Sequence, residues 1–96
     1  MPKATILFWR KTVYRDGSLI EMKAWWVPKT PRTPHGVKYS MVYINAAGER
    51  ILGYDNAEGK GHHRHERDVE TREDFESIEA LTAQFLQEVE AIRGNP

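Results

Sequence analysis

A chain of 96 residues makes one domain, and its 40% of hydrophobic residues, three tryptophans among them, allow one modest core. The absence of cysteine excludes disulfides and thiolate metal sites, and no apolar run approaches the roughly 20 residues of a membrane span. Fourteen basic and fourteen acidic residues cancel overall; residues 1–40, however, hold eight Lys/Arg against two acids, a net +6, which leaves −6 for residues 41–96. This asymmetry suits a basic face turned toward nucleic acid or an acidic partner, or two halves that neutralise each other across the fold. The run Ala4 to Trp9 is too short for a secretory signal and ends in Arg10-Lys11, so a cytoplasmic protein is expected.

Ala4 to Tyr14, rich in β-branched and aromatic residues, reads as a strand. Asp16-Gly17 then signals a tight hairpin turn with both central residues at positive φ. Leu19 to Val27 returns as a second strand with Ile20, Met22, Ala24 and Trp26 on one apolar face, which sends Trp25 to the other. Only one of the two tryptophans then enters the main core. Pro28 to Gly36 holds three prolines and reads as an extended basic connector whose Lys29, Arg32 and His35 could grip phosphates. Lys38 to Ile44 and Arg50 to Tyr54 form a second hairpin around Asn45 to Glu49, and a polar loop follows through the acidic residues 66–74. Ser77 caps a helix in which Ile78, Leu81, Phe85, Leu86, Val89 and Ile92 share one face, with Gly94 at its end and Pro96 beyond. The expected fold is α+β: a four-stranded antiparallel sheet of two hairpins, with one C-terminal helix packed on one face. The uncovered face, with its extra tryptophan, suits a partner or a homodimer.

The chemistry concentrates in Gly53 to His65, where His62, His63 and His65 flank Arg64 after Gly59-Lys60-Gly61. Imidazoles exchange protons near neutral pH, and guanidinium forks match phosphates. Metal-independent RNA cleavage needs a base for the 2′-hydroxyl, an acid for the 5′-oxygen and a fixed positive charge at the phosphorane. His63 and His65, two apart and so on one side of an extended chain, are the acid–base candidates. Arg64 would point away, so Arg67 or Lys60 serves equally as a phosphate clamp. Tyr54 and Asp55 orient an imidazole or contact a base. Gly59 and Gly61 can form a backbone nest for an anion, with His62 beside it. Other readings of the same residues stay open. The histidines can hydrogen-bond Asp55 or the acids of 66–74 in a purely structural loop, or His62, His63 and His65 can contribute to a metal site that Asp55 or His35 would have to complete. No cofactor is implied.

Tyr54, Asp55, Asn56, Gly59, Lys60, Gly61, His63, Arg64 and His65 spell YDN…G-K-G-x-H-R-H, followed by Phe75-Glu76-Ser77-Ile78-Glu79-Ala80-Leu81 at the helix start. Over nearly its whole length the chain resembles the TumE-like toxins of bacterial toxin–antitoxin systems. The resemblance implies a small cytoplasmic toxin neutralised by a helix-turn-helix antitoxin. Joined to the histidine string, it points to a toxin acting on RNA, an endoribonuclease. The alternative is a non-catalytic protein- or nucleic-acid-binding module, acting through its open sheet face and Trp25 or Trp26.

Overall fold

The computed structural model describes residues 4–56 and 61–94. Its elements follow in chain order: β1 (Thr5–Val13), β2 (Leu19–Trp26), β3 (Val37–Ile44), β4 (Arg50–Asp55), β5 (His63–Glu66), β6 (Val69–Arg72) and α1 (Ile78–Gly94). The strands form one sheet in the order β1-β2-β3-β4-β5-β6, and every adjacent pair is antiparallel. The α+β class and the terminal helix match the sequence expectation, but the sheet has six strands rather than four. The additional pair is the polar stretch expected as a loop. Of the eight residues in β5 and β6 only Val69 is apolar, so no hydrophobic alternation marks them as strands. Backbone pairing to β4 and polar contacts to the helix organise them instead.

Register and burial divide the sheet into two faces. Ile20, Met22 and Ala24 of β2, Tyr39, Met41 and Tyr43 of β3, and Leu52 and Tyr54 of β4 are buried with Ile78, Leu81, Phe85 and Val89 of α1. Leu86 and Ile92 pack partly against the same core. Neither Trp25 nor Trp26 enters it, contrary to the expectation for one of them. Trp26 ends β2 and is 50% exposed. Trp25 borders a shallow groove with Ile6, Trp9 and Lys23 on the uncovered face.

The first two hairpin turns share one construction. The Tyr14 N–H donates to Ser18 C=O at 2.8 Å, the Gly17 N–H donates to Tyr14 C=O at 3.0 Å, and of the two turn residues singled out only Gly17 takes a positive φ (89°). In the second turn Asn45 and Gly48 (φ 88°) play the parts of Tyr14 and Gly17, and Asn45 Oδ1 accepts from the Ala47 and Glu49 amides. The expected two-residue turn with both residues left-handed is replaced by a longer turn in which glycine alone bears that conformation.

Ser77 caps the helix as expected, its Oγ accepting from the Ala80 N–H at 3.0 Å. Glu79 in the first turn and Arg93 in the last complement the helix dipole. The Arg93 guanidinium also lies 3.5 Å from the Tyr14 ring centre and donates to Ser18 Oγ at 2.7 Å, tying the helix end to the first turn. The helix runs through Gly94, and Pro96 lies outside the described residues. Among the described residues no helix is long and apolar enough to cross a membrane.

Phe85 is fully buried and meets the Tyr54 ring edge-on at 5.2 Å between centroids. Phe85→Ala should lower unfolding free energy by about 3–5 kcal/mol in urea titration, because the cavity lies between helix and sheet. Leu86→Ala, at a partly covered position, should cost less than half as much by the same measurement.

Candidate functional site

Period-two alternation along β5 sorts the motif residues onto opposite faces. Arg64 and Glu66 face the helix side, whereas His63 and His65 face the open side, where β4 contributes Gly53 and Asp55 and β6 contributes Glu70 and Arg72. The two histidines are therefore brought together as expected, with ring centroids 6.5 Å apart. His63 Nδ1 lies 3.0 Å from Glu70 Oε1, and His65 lies 3.5 Å from Asp55 Oδ2 through Nε2 and 3.7 Å from Glu70 Oε2 through Nδ1. Carboxylates beside imidazoles hold the rings in orientation. Arg50 approaches the same surface. Gly53 opposes His65 in register, and a Cβ on it would stand 3.2 Å from the Arg50 Cδ. The glycine thus leaves room for the Arg50 side chain to lie across β4 beside His65.

Arg64 and Tyr54 are held away from this array. Arg64 Nε donates to both Glu88 carboxylate oxygens at 3.1 and 3.0 Å, its Nη2 also pairs with Glu88, and Nη2 donates to Glu66 at 2.8 Å. The Tyr54 hydroxyl donates to Glu88 and accepts from Gln84 at 3.1 Å, and Gln84 donates to Glu73. Burial would raise the Glu88 carboxyl, but the bonds from Arg64 and Tyr54 outweigh it and hold the group below the usual range. Burial and the Glu88 bond push the Tyr54 phenol upward, so it stays protonated and cannot serve as a base. Arg67 occupies the β5–β6 turn at φ 53°, with its amide donating to Ile51 C=O at 3.0 Å. That turn is at the end of β5 opposite His62, roughly 13 Å away along the strand. Gly59 and Lys60 lie outside the described residues.

His62 belongs to a different neighbourhood. Its Nδ1 is 2.7 Å from the buried Tyr39 hydroxyl, and its ring stacks on Phe75 at 4.5 Å and approaches His35 at 5.5 Å. Burial, and then the nearby carboxylates of Asp55 and Glu73, push the Tyr39 phenol well above its ordinary range, so it can donate to Nδ1. Nδ1 then accepts, which leaves the ring hydrogen on Nε2. With the rim of the 28–36 connector, His62 lines a cleft of about 370 Å³ that also takes in Arg32, His35, Asn56, Gly61 and Arg72. Asn56 builds its floor: its side chain accepts from the Tyr39 amide at 2.9 Å and donates to Val37 C=O at 2.7 Å. Among the described residues no three His, Asp or Glu side chains are arranged to hold a metal ion.

A family model described as toxin TumE matches residues 1–93. The chain belongs to the TumE toxin family. No curated protein and no solved structure gave a match. Membership makes this TumE relative the toxin component of a toxin–antitoxin system, with an antitoxin as its partner. Its sequence did not single out Arg50, Arg72 or Glu88 as parts of the site, and it offered Glu70 only among the acids of 66–74. Only the pairing of β5 with β6 brings Glu70 and Arg72 beside the histidines, and no short motif carries that information.

Burial, followed by the charges of His35 and His63, lowers His62 below its ordinary value of 6.5. The unfolded chain then binds a proton that the folded chain rejects. The associated stability is full above the ordinary value and is lost as pH falls toward the lowered one. On acidification from about pH 7 to about pH 5, the melting midpoint of His62→Gln should fall less than that of the native protein. Equal falls in the two proteins would remove His62 as the source.

Proposed function

We propose that this toxin acts on RNA by metal-independent transesterification on the open sheet face. The observation that carries the reading is the pair His63 and His65, side by side with ring centroids 6.5 Å apart and each set against a carboxylate. In this reading one imidazole takes the proton of a 2′-hydroxyl as its oxygen attacks the adjacent phosphorus. The other gives a proton to the departing 5′-oxygen, leaving a 2′,3′-cyclic phosphate and a free 5′-hydroxyl. Asp55 and Glu70 orient the rings, as the carboxylate does in a catalytic triad. Arg50, lying across Gly53 next to His65, supplies positive charge to the phosphorane. Tyr54 and Arg64 act as positioning residues through Glu88, fixing β5 from behind.

The partner is read as a helix-turn-helix antitoxin, and the cytoplasm as the place of action. Trp9 is 63% exposed on the open face beside Ile6 and Trp25, which favours contact of that face with the antitoxin or with a second copy. A non-catalytic binding module would use the same surface. Under that reading the histidines would be dispensable and Trp9 essential.

Induced expression in a bacterial host should arrest growth, and His63→Ala or His65→Ala at equal soluble level should not. Purified protein should cleave RNA to cyclic-phosphate ends, and each substitution should slow cleavage about 10²–10⁴-fold with the circular dichroism spectrum unchanged. Arrest and cleavage that survive both substitutions would sink the assignment.

A further inference from the structure

The cleft at the end of the sheet has a composition unlike the rest of the molecule. Arg32 and His35 reach it from the 28–36 connector, His62 from the approach to β5 and Arg72 from the end of β6; among the described residues no acidic one lines it. The chain as a whole is neutral, and residues 41–96, which supply two of these four groups, carry a net −6. Two arginines of the fold are paired to carboxylates, Arg64 with Glu66 and Glu88 and Arg93 with Asp16. Among the described residues neither Arg32 nor Arg72 has such a pair. Two guanidinium forks facing one concavity repel one another unless an anion joins them, and the two imidazoles beside them add hydrogen-bonding nitrogens. Glycine at position 61, with φ at 82°, completes the rim with no side chain to crowd it.

Shape and position narrow the anion. About 370 Å³ falls at the small end of ligand clefts, enough for a phosphate with its sugar. Tyr39 occupies His62 Nδ1, which leaves Nε2–H as a donor toward an anion in the cleft. The ring of His62, stacked on Phe75, offers one flat flank. Arg72 stands opposite His63 in the β5–β6 register, on the face that bears the histidine pair, and so links the cleft to that face. A strand with one phosphate in the cleft would continue directly onto the histidine pair.

We propose that this cleft is a phosphate-binding subsite, formed by Arg32, His35, His62 and Arg72, that seats a nucleotide phosphate next to the bond cleaved on the open face. The inference rests on the RNA reading above for its substrate, but its binding test does not depend on cleavage. The phosphate can belong to the interior of a strand or to a strand end, and both present the same oxygens to the arginines.

The test follows the histidine ring signals of the native protein by NMR, at constant ionic strength, during titration with three probes. These are inorganic phosphate, a thymidine dinucleotide, and the same dinucleotide with a 5′-phosphate; none has a 2′-hydroxyl to react. His35 and His62 signals should shift saturably, and Arg72→Gln and Arg32→Gln should each weaken binding about tenfold, as loss of one charge-assisted contact does. Both arginines are exposed, so neither change should disturb folding. Equal binding of the two dinucleotides assigns a strand phosphate, and tighter binding of the phosphorylated one assigns a strand end. Shifts that never saturate, or that persist unweakened in both arginine variants, overturn the subsite. Saturable binding by a protein that leaves RNA intact would keep the subsite and remove the cleavage reading; cleavage without saturable binding would do the reverse.

Discussion

Glu88, on the helix, accepts hydrogen bonds from Tyr54 of β4 and Arg64 of β5, and through that one carboxylate the last hairpin acquires its orientation. A strand of four polar residues has no hydrophobic face to tell it which side should turn inward. Its register against β4 is specified only if something on one side binds one set of its side chains. Glu88 binds Arg64, so by alternation His63 and His65 must face outward. A carboxylate with two hydrogen-bonding partners is well satisfied at this part-buried position, and Arg64 is in turn kept firmly protonated by it. The residue in the middle of the histidine string thus shapes the site from the opposite face of the sheet.

The same residue type is used at this end of the sheet in two electrostatic settings. His63 and His65 sit against carboxylates, which hold their rings. His62 sits among other histidines and aromatic rings beside arginines, where its charge is disfavoured. Asn56 anchors both settings by bridging β4 to the start of β3, so the connector that carries Arg32 and His35 begins from a fixed point. Two neighbouring surfaces with opposite electrostatic character suit a substrate whose phosphate backbone must be gripped at one point and reacted at the next.

Much of the architecture could be read from the sequence wherever burial imposes a period. The alternation of Ile20, Met22 and Ala24 and the three-and-four spacing of Ile78, Leu81, Phe85 and Val89 are direct imprints of one buried face. Ser77 as cap and the glycines of the first two turns were equally legible, because each has a local stereochemical reason. β5 and β6 left no such imprint, since their inward side meets polar groups of the helix. Trp26 misled for the converse reason: it continues the apolar alternation of β2 one residue beyond the point where anything covers it. In the site, the pairing of His63 with His65 followed from a spacing of two. Arg50, Arg72 and, among the acids of 66–74, Glu70 in particular could be found only after strand pairing was known, as they come from three separate points in the chain.

A sheet whose strands pair strictly with their chain neighbours can assemble progressively from the N-terminus, each strand on the one before it. The helix is the one element that must reach back over strands already laid down. Because Glu88 travels on that helix, the facing of β5 is undetermined while the sheet is forming, and a slip of one residue would exchange the two histidines for Arg64 and Glu66. During synthesis on the ribosome, the surface proposed to bear the toxin's chemistry is therefore the last to be specified. It takes shape only when the chain has been made at least as far as residue 88.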